Sequence, residues 1–87
     1  MNYKLIPLKD FKKFIKKRTP KERKIIDMKL SILSDDITSK ELDIKQLKGY
    51  DNTFRLRVGK YRIIYEIYKN ELIIILADGG SRGGIYK

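Results

Sequence analysis

FRLRVGKYRIIYEI, Phe54–Ile67, is two runs of alternating character joined by Gly59-Lys60. Alternation with period two is the signature of strands with one buried face, and a two-residue link containing glycine predicts a tight hairpin. The register then follows by counting outward from the turn: Val58 faces Tyr61, Arg57 faces Arg62 and Leu56 faces Ile63. A third strand is expected over Glu71–Ala77 after a second two-residue link, Lys69-Asn70, which sets Arg62 opposite Ala77. Side chains alternate between faces, so Phe54, Leu56, Val58, Tyr61, Ile63 and Tyr65 share the core side, with Ile67, Leu72, Ile74 and Leu76 continuing it. Arg55, Arg57 and Arg62 are left together on the open side. Directly opposed like charges destabilise a strand pair, by a size comparable to the roughly 0.2–1 kcal/mol that favourable pairs contribute. An anion between them would remove that cost.

Working towards the N-terminus, the segment Ser34–Asn52 carries Leu42, Ile44 and Leu47 ahead of a Gly-Tyr-Asp-Asn turn cluster and is expected to be irregular or a short helical turn. Before it, TPKE supplies a helix start: Thr19 as N-cap, Pro20 in the first turn and Glu22 completing a capping box. The helix that follows has a wide apolar set from Ile25 to Leu33. An earlier helix over Leu8–Arg18 is marked by Leu8, Phe11, Phe14 and Ile15 at helical spacing. The short connection between the two predicts an antiparallel helical hairpin. NYKLIPL reads as a first strand, with Pro7 ending it or placing it near an edge. The chain end, DGGSRGGIYK, holds four of the six glycines and reads as a loop. The expected class is α+β: a small antiparallel sheet with an N-terminal strand and a helical hairpin packed on one face, forming one domain over residues 1–87.

The chain carries 21 Lys and Arg against 11 Asp and Glu, a formal charge of +10, which favours phosphate-rich or acidic partners. Eight of the basic residues lie between Lys12 and Lys24, opposed only by Glu22. Lys12, Lys13, Lys16 and Lys17 on the first helix would grip phosphates without reading bases. With no cysteine and no histidine, disulfides, Cys or His zinc sites, thiol nucleophiles and His-dependent triads are excluded. The scattered carboxylates give no metal spacing, so neither metal nor other cofactor is expected. No apolar run approaches the roughly 20 residues of a membrane span, and the start MNYKLIPLKD lacks a signal-peptide pattern, so a cytoplasmic location and no membrane partner are expected.

The order strand, two helices, QLKGYDNTFRLRVGKYRIIYEI and a last strand leading to Arg82 and Tyr86 resembles the toxins of the RelE/ParE superfamily of type II toxin-antitoxin modules, over essentially the whole chain. LKG followed by the Arg-Leu-Arg and Gly-x-Tyr-Arg elements is the most specific part. In the RelE-like branch the resemblance implies metal-independent cleavage of mRNA on the ribosome, and a cognate antitoxin that binds the toxin in a hetero-oligomer. It also implies that Arg62 holds the scissile phosphate, that Arg55 and Arg57 are phosphate-binding, and that Arg82 and Tyr86 belong to the catalytic set. Ser81 stands where many relatives have a histidine, and Gly83-Gly84-Ile85 replaces a charged run. In the ParE-like branch the same scaffold implies a toxin that inhibits DNA gyrase and cleaves nothing. Beside both stands a non-catalytic RNA-binding module.

Overall fold

A computed structural model describes residues 2–81. The elements run β1 (Lys4–Pro7), α1 (Lys9–Lys16), α2 (Pro20–Asp35), β2 (Asp43–Gln46), β3 (Thr53–Val58), β4 (Tyr61–Tyr68) and β5 (Ile73–Ser81). The strands form one five-stranded sheet in the order β1-β5-β4-β3-β2. Pairing is antiparallel throughout except at one edge, where β1 lies parallel to β5. The α+β class holds, and both helices contribute to a core on one side of the sheet. Among the described residues no helix is long and apolar enough to cross a membrane.

Each helix is where its sequence pattern places it. Phe11 and Phe14, one turn apart on α1, are buried, and the Leu8 N–H donates to the Leu76 carbonyl of β5, tying the helix start to the sheet. The capping box of α2 is complete: the Glu22 N–H donates to Thr19 Oγ1 at 3.1 Å and the Thr19 N–H to Glu22 Oε1 at 2.9 Å. Ile26, Leu30 and Leu33 of α2 join Leu56, Val58, Ile63, Tyr65, Ile67, Ile74 and Leu76 of the sheet in the core.

Three expectations are corrected. The 34–52 segment contains strand β2, which pairs with β3 from Asp43↔Arg57 to Gln46↔Phe54. Four residues with only one core-facing aliphatic, Ile44, show too little alternation to announce a strand. Second, the link between β4 and β5 is residues 69–72, not a two-residue turn, and Leu72 adopts φ 55 with an exposed side chain instead of joining the core. Nothing in a leucine signals left-handed backbone, so the longer turn was invisible. Third, Asp78–Ser81 is strand, not loop, and Arg62 faces Gly80, not Ala77.

This last change has a cause in the ladder. Tyr65 pairs with Leu76 while Ile64 pairs with Asp78, so Ala77 is an extra residue, a β-bulge. The bulge resets which side each later residue faces. Gly79, opposite Ile63, comes to the core side directly beneath the Phe14 ring. A glycine-rich strand offers no side chains whose alternation could reveal it.

Tyr65 is fully buried and stacks on Phe54 with ring centroids 5.7 Å apart, yet its hydroxyl meets no hydrogen-bond partner. Burial pushes its phenol pKa well up, only partly offset by Arg55, so the group stays neutral. A buried unsatisfied hydroxyl costs about 1–3 kcal/mol. Tyr65→Phe is therefore expected to leave stability unchanged or raise it by about 1 kcal/mol, read as an upward shift of the urea midpoint. A drop of that size would mean that the hydroxyl is satisfied.

Candidate functional site

The site lies where β3 turns into β4. Gly59 has φ 60 while Lys60 keeps a negative φ, the pattern of a type II′ turn, whose twist matches that of the flanking strands. This tight closure fixes Arg57↔Arg62 and Val58↔Tyr61 as facing pairs, as the sequence predicts. Arg57 and Arg62 thus leave neighbouring backbone positions on the same face. They line a cleft of about 310 Å³ together with Gly59, Lys60, Tyr61 and Ser81.

No carboxylate lines this cleft among the described residues. Arg62 Nε is buried and has no acceptor, while Arg57 Nε donates only to the Gly59 carbonyl at 3.3 Å. Three cations, Arg57, Lys60 and Arg62, therefore meet around this hollow, and the Arg62 Nε–H finds no acceptor among the described residues. Guanidinium groups remain charged at any physiological pH and match the oxygens of a phosphate bidentately. The arrangement suits a phosphodiester. Lys60 was not singled out in the sequence; its place beside glycine in a two-residue turn between two arginine-bearing strands was the available signal.

Arg55 shares a buried Nε without an acceptor but differs in its counterion. Its guanidinium Nη2 is 2.9 Å from Asp43 Oδ1 on β2, and its side chain is only 12% exposed. The edge strand that the sequence concealed thus supplies Arg55 with a counterion; Arg57 faces the same Asp43 across β2 and β3, but among the described residues the carboxylate pairs with Arg55 and Arg62 has no ion pair. Lys12, Lys13, Lys16 and Lys17 are exposed on the helical layer, away from the open face that carries the arginines. Arg82 and Tyr86 lie outside the described residues. Among the described residues no group of three or more Asp and Glu side chains is placed to hold a metal ion.

The turn end of β4 is fastened to the helices. The Tyr61 hydroxyl donates to Glu22 Oε2 at 2.8 Å, and the Arg18 guanidinium lies 4.4 Å from the Tyr61 ring centroid and 4.9 Å from that of Phe14. Phe14 meets Tyr61 edge-on at 5.5 Å. The Thr19 N–H above all, then Tyr61, and less strongly Arg18, hold the Glu22 carboxyl below its ordinary value of 4.5. A carboxyl with a lowered folded-state pKa stabilises the fold above its unfolded value, and that contribution is lost as pH falls through the folded value. Glu22→Gln should therefore flatten the acid side of the stability profile below pH 4.5, measured by urea unfolding. The slope that remains belongs in part to Asp36, which Thr38 holds low in the same way. An unchanged acid limb would refute the assignment.

Comparison with known proteins identifies the family. Residues 7–79 match the model of the ParE toxin family of type II toxin-antitoxin systems. The chain belongs to the RelE/ParE toxin superfamily. This toxin is 34% identical over 80 residues to the toxin RelE1 of Methanocaldococcus jannaschii, spanning 92% of its own length and 86% of the relative's. It also superimposes on a chain of the RelB-RelE antitoxin-toxin complex from Methanococcus jannaschii, with a TM-score of 0.75 and 32% identity over 94% of the toxin and 95% of that chain. Against a chain of the archaeal RelE-RelB complex from Pyrococcus horikoshii the TM-score is 0.82 at 22% identity, over 98% and 100%, a likeness of fold.

Proposed function

We propose that the toxin is a metal-independent endoribonuclease that cuts mRNA on the ribosome. The observation that carries this reading is Arg62: opposite Arg57, lining a cleft where, among the described residues, three cations and no carboxylate meet, and with a buried Nε that has no acceptor among them. In the reaction, the ribose 2′-oxygen attacks the adjacent phosphorus and loses its proton to a base. The bond to the 5′-oxygen of the next nucleotide breaks and that oxygen is protonated. The products are a 2′,3′-cyclic phosphate and a 5′-hydroxyl end. Negative charge grows on the non-bridging oxygens, where Arg62 and Arg57 stabilise it. Preorganised charge of this kind is often the largest catalytic contribution. Arg82 and Tyr86 complete the set that the superfamily resemblance implies. A phenol ordinarily titrates near 10, so Tyr86 serves as base only where neighbouring cations favour its phenolate.

The lysines of α1 act at longer range, drawing a polyanion towards the toxin. Relatives are known in complexes of RelE with RelB, and a cognate antitoxin, presenting acidic residues to the cleft and covering Arg62, is the expected cytoplasmic partner. The test is to induce the toxin and map the ends of cellular transcripts, comparing wild type with Arg62→Ala and Tyr86→Phe. New 5′-hydroxyl ends that vanish in Arg62→Ala support the reading; their absence from wild type refutes it.

The match to the ParE family model favours a second reading, a toxin directed at DNA gyrase. A purified sample that leaves ribosome-bound message intact but blocks supercoiling would establish it in place of the first.

A further inference from the structure

A second feature lies beyond the cleft, in the link between β2 and β3. Tyr50 is 60% exposed there, the most exposed of the large hydrophobic side chains among the described residues. The loop that carries it is held from several directions. Gln46 Nε2 donates to the Tyr50 carbonyl at 2.9 Å and to the Asp51 carbonyl at 3.0 Å. The Leu47 N–H donates to the Thr53 carbonyl at 2.9 Å, the Tyr50 N–H reaches the Leu47 carbonyl at 3.2 Å, and Gly49 takes φ 89, where a side chain would be strained. A preorganised loop thus displays a ring to solvent.

The ring shares an open hollow of about 540 Å³ with Lys45 and Lys48. Lys45 pairs with Arg55 across β2 and β3 and so belongs to the face of the sheet that carries Arg57 and Arg62. From Thr53, where the loop rejoins the sheet, to Arg57 is four residues of strand, about 14 Å at ~3.4 Å per residue. That is the length of a few nucleotides. Asp51 lines the same hollow; as an acceptor it turns phosphate away from its end and suits the amino group of a base.

We infer that Tyr50, with Lys45 and Lys48, forms an accessory subsite for single-stranded RNA, in which an unpaired base a few nucleotides from the scissile bond stacks on the tyrosine ring. This inference rests on the RNA-cleaving reading above and extends it. Stacking is possible for any base because each has a π-face, and adjacent lysines hold the backbone, the combination that single-strand binders use. The subsite governs grip and not chemistry.

The test is steady-state cleavage of a ribosome-bound message by the full-length toxin. Tyr50→Ala should raise KM by roughly 5- to 150-fold, the range that removal of one stacking platform produces, with kcat little changed. Tyr50→Phe, which keeps the ring, should restore most of the loss. Lys48→Ala should weaken binding and reduce the salt dependence. The inference is overturned if Tyr50→Ala leaves KM unaltered, if Tyr50→Phe is as impaired as Tyr50→Ala, or if Tyr50→Ala weakens antitoxin capture alone. Cleavage by wild type with no response to Tyr50→Ala defeats this subsite only; no cleavage by wild type defeats the RNA reading as well.

Discussion

Arg62→Ala is expected to reduce message cleavage by about 10²–10³-fold, the loss seen when one preorganised charge donor to a transition state is removed. Its effect on folding should run the other way. Arg62 faces Arg57 across the hairpin and buries an Nε without an acceptor, so truncation relieves a repulsion of up to about 1 kcal/mol. The alanine variant should unfold at equal or higher urea concentration than wild type while being nearly inactive. Arg62→Lys should fall between, because a lysine keeps the charge but lacks the two-pronged donor geometry. Coupled loss of activity and stability would instead indicate a structural arginine, and the phosphate assignment would fail.

The second large effect is on the fold itself. A methyl group added at Gly79 would lie less than 3.0 Å from atoms of the Phe14 ring. Gly79 has no left-handed φ to protect, so the cost is purely that of crowding. Phe14 is held between Phe11, Tyr61 and the Arg18 guanidinium, and has little freedom to retreat. Gly79→Ala should therefore destabilise by about 1–3 kcal/mol, in the range of overpacked cores. Phe14→Ala alone should cost about 3–5 kcal/mol by leaving a cavity. In the double variant the new methyl enters space that the ring has vacated, so the combined loss should be smaller than the sum. Urea unfolding of the four proteins reads the difference directly. Strict additivity would mean that residue 79 and the ring do not meet.

The helices were legible because their signals are local. Thr19, Pro20 and Glu22 determine where α2 starts whatever the rest of the chain does, and both capping bonds form. The β3–β4 hairpin was legible for a related reason: a two-residue link leaves no freedom in register, so Arg57↔Arg62 follows from counting. Counting fails once the number of turn residues is hidden. Leu72 lengthens the β4–β5 turn without any turn-forming residue type, and Ala77 inserts a bulge that shifts everything after it. Two errors in one strand therefore moved Arg62's partner from Ala77 to Gly80. β2 was missed because it is short and mostly polar, and with it the Asp43 counterion of Arg55. Of the side chains that line the cleft, the sequence placed Arg57 and Arg62 together but passed over Lys60, since a turn lysine is ordinarily unremarked solvent-facing chemistry, while Arg82 and Tyr86 lie outside the described residues.

Tyr61 and Arg62 are consecutive residues, and successive side chains of a strand leave by opposite sides of the sheet. One is clasped by Glu22 of α2 and overlain by Arg18; the next presents its guanidinium to the cleft. One peptide unit therefore carries both a tie between the layers and a side chain of the cleft. A partner that levers the helical hairpin outward would have to break that clasp, and the disturbance would arrive at the residue next to Arg62 in the cleft, giving whatever binds the back of the toxin a short mechanical route to its front.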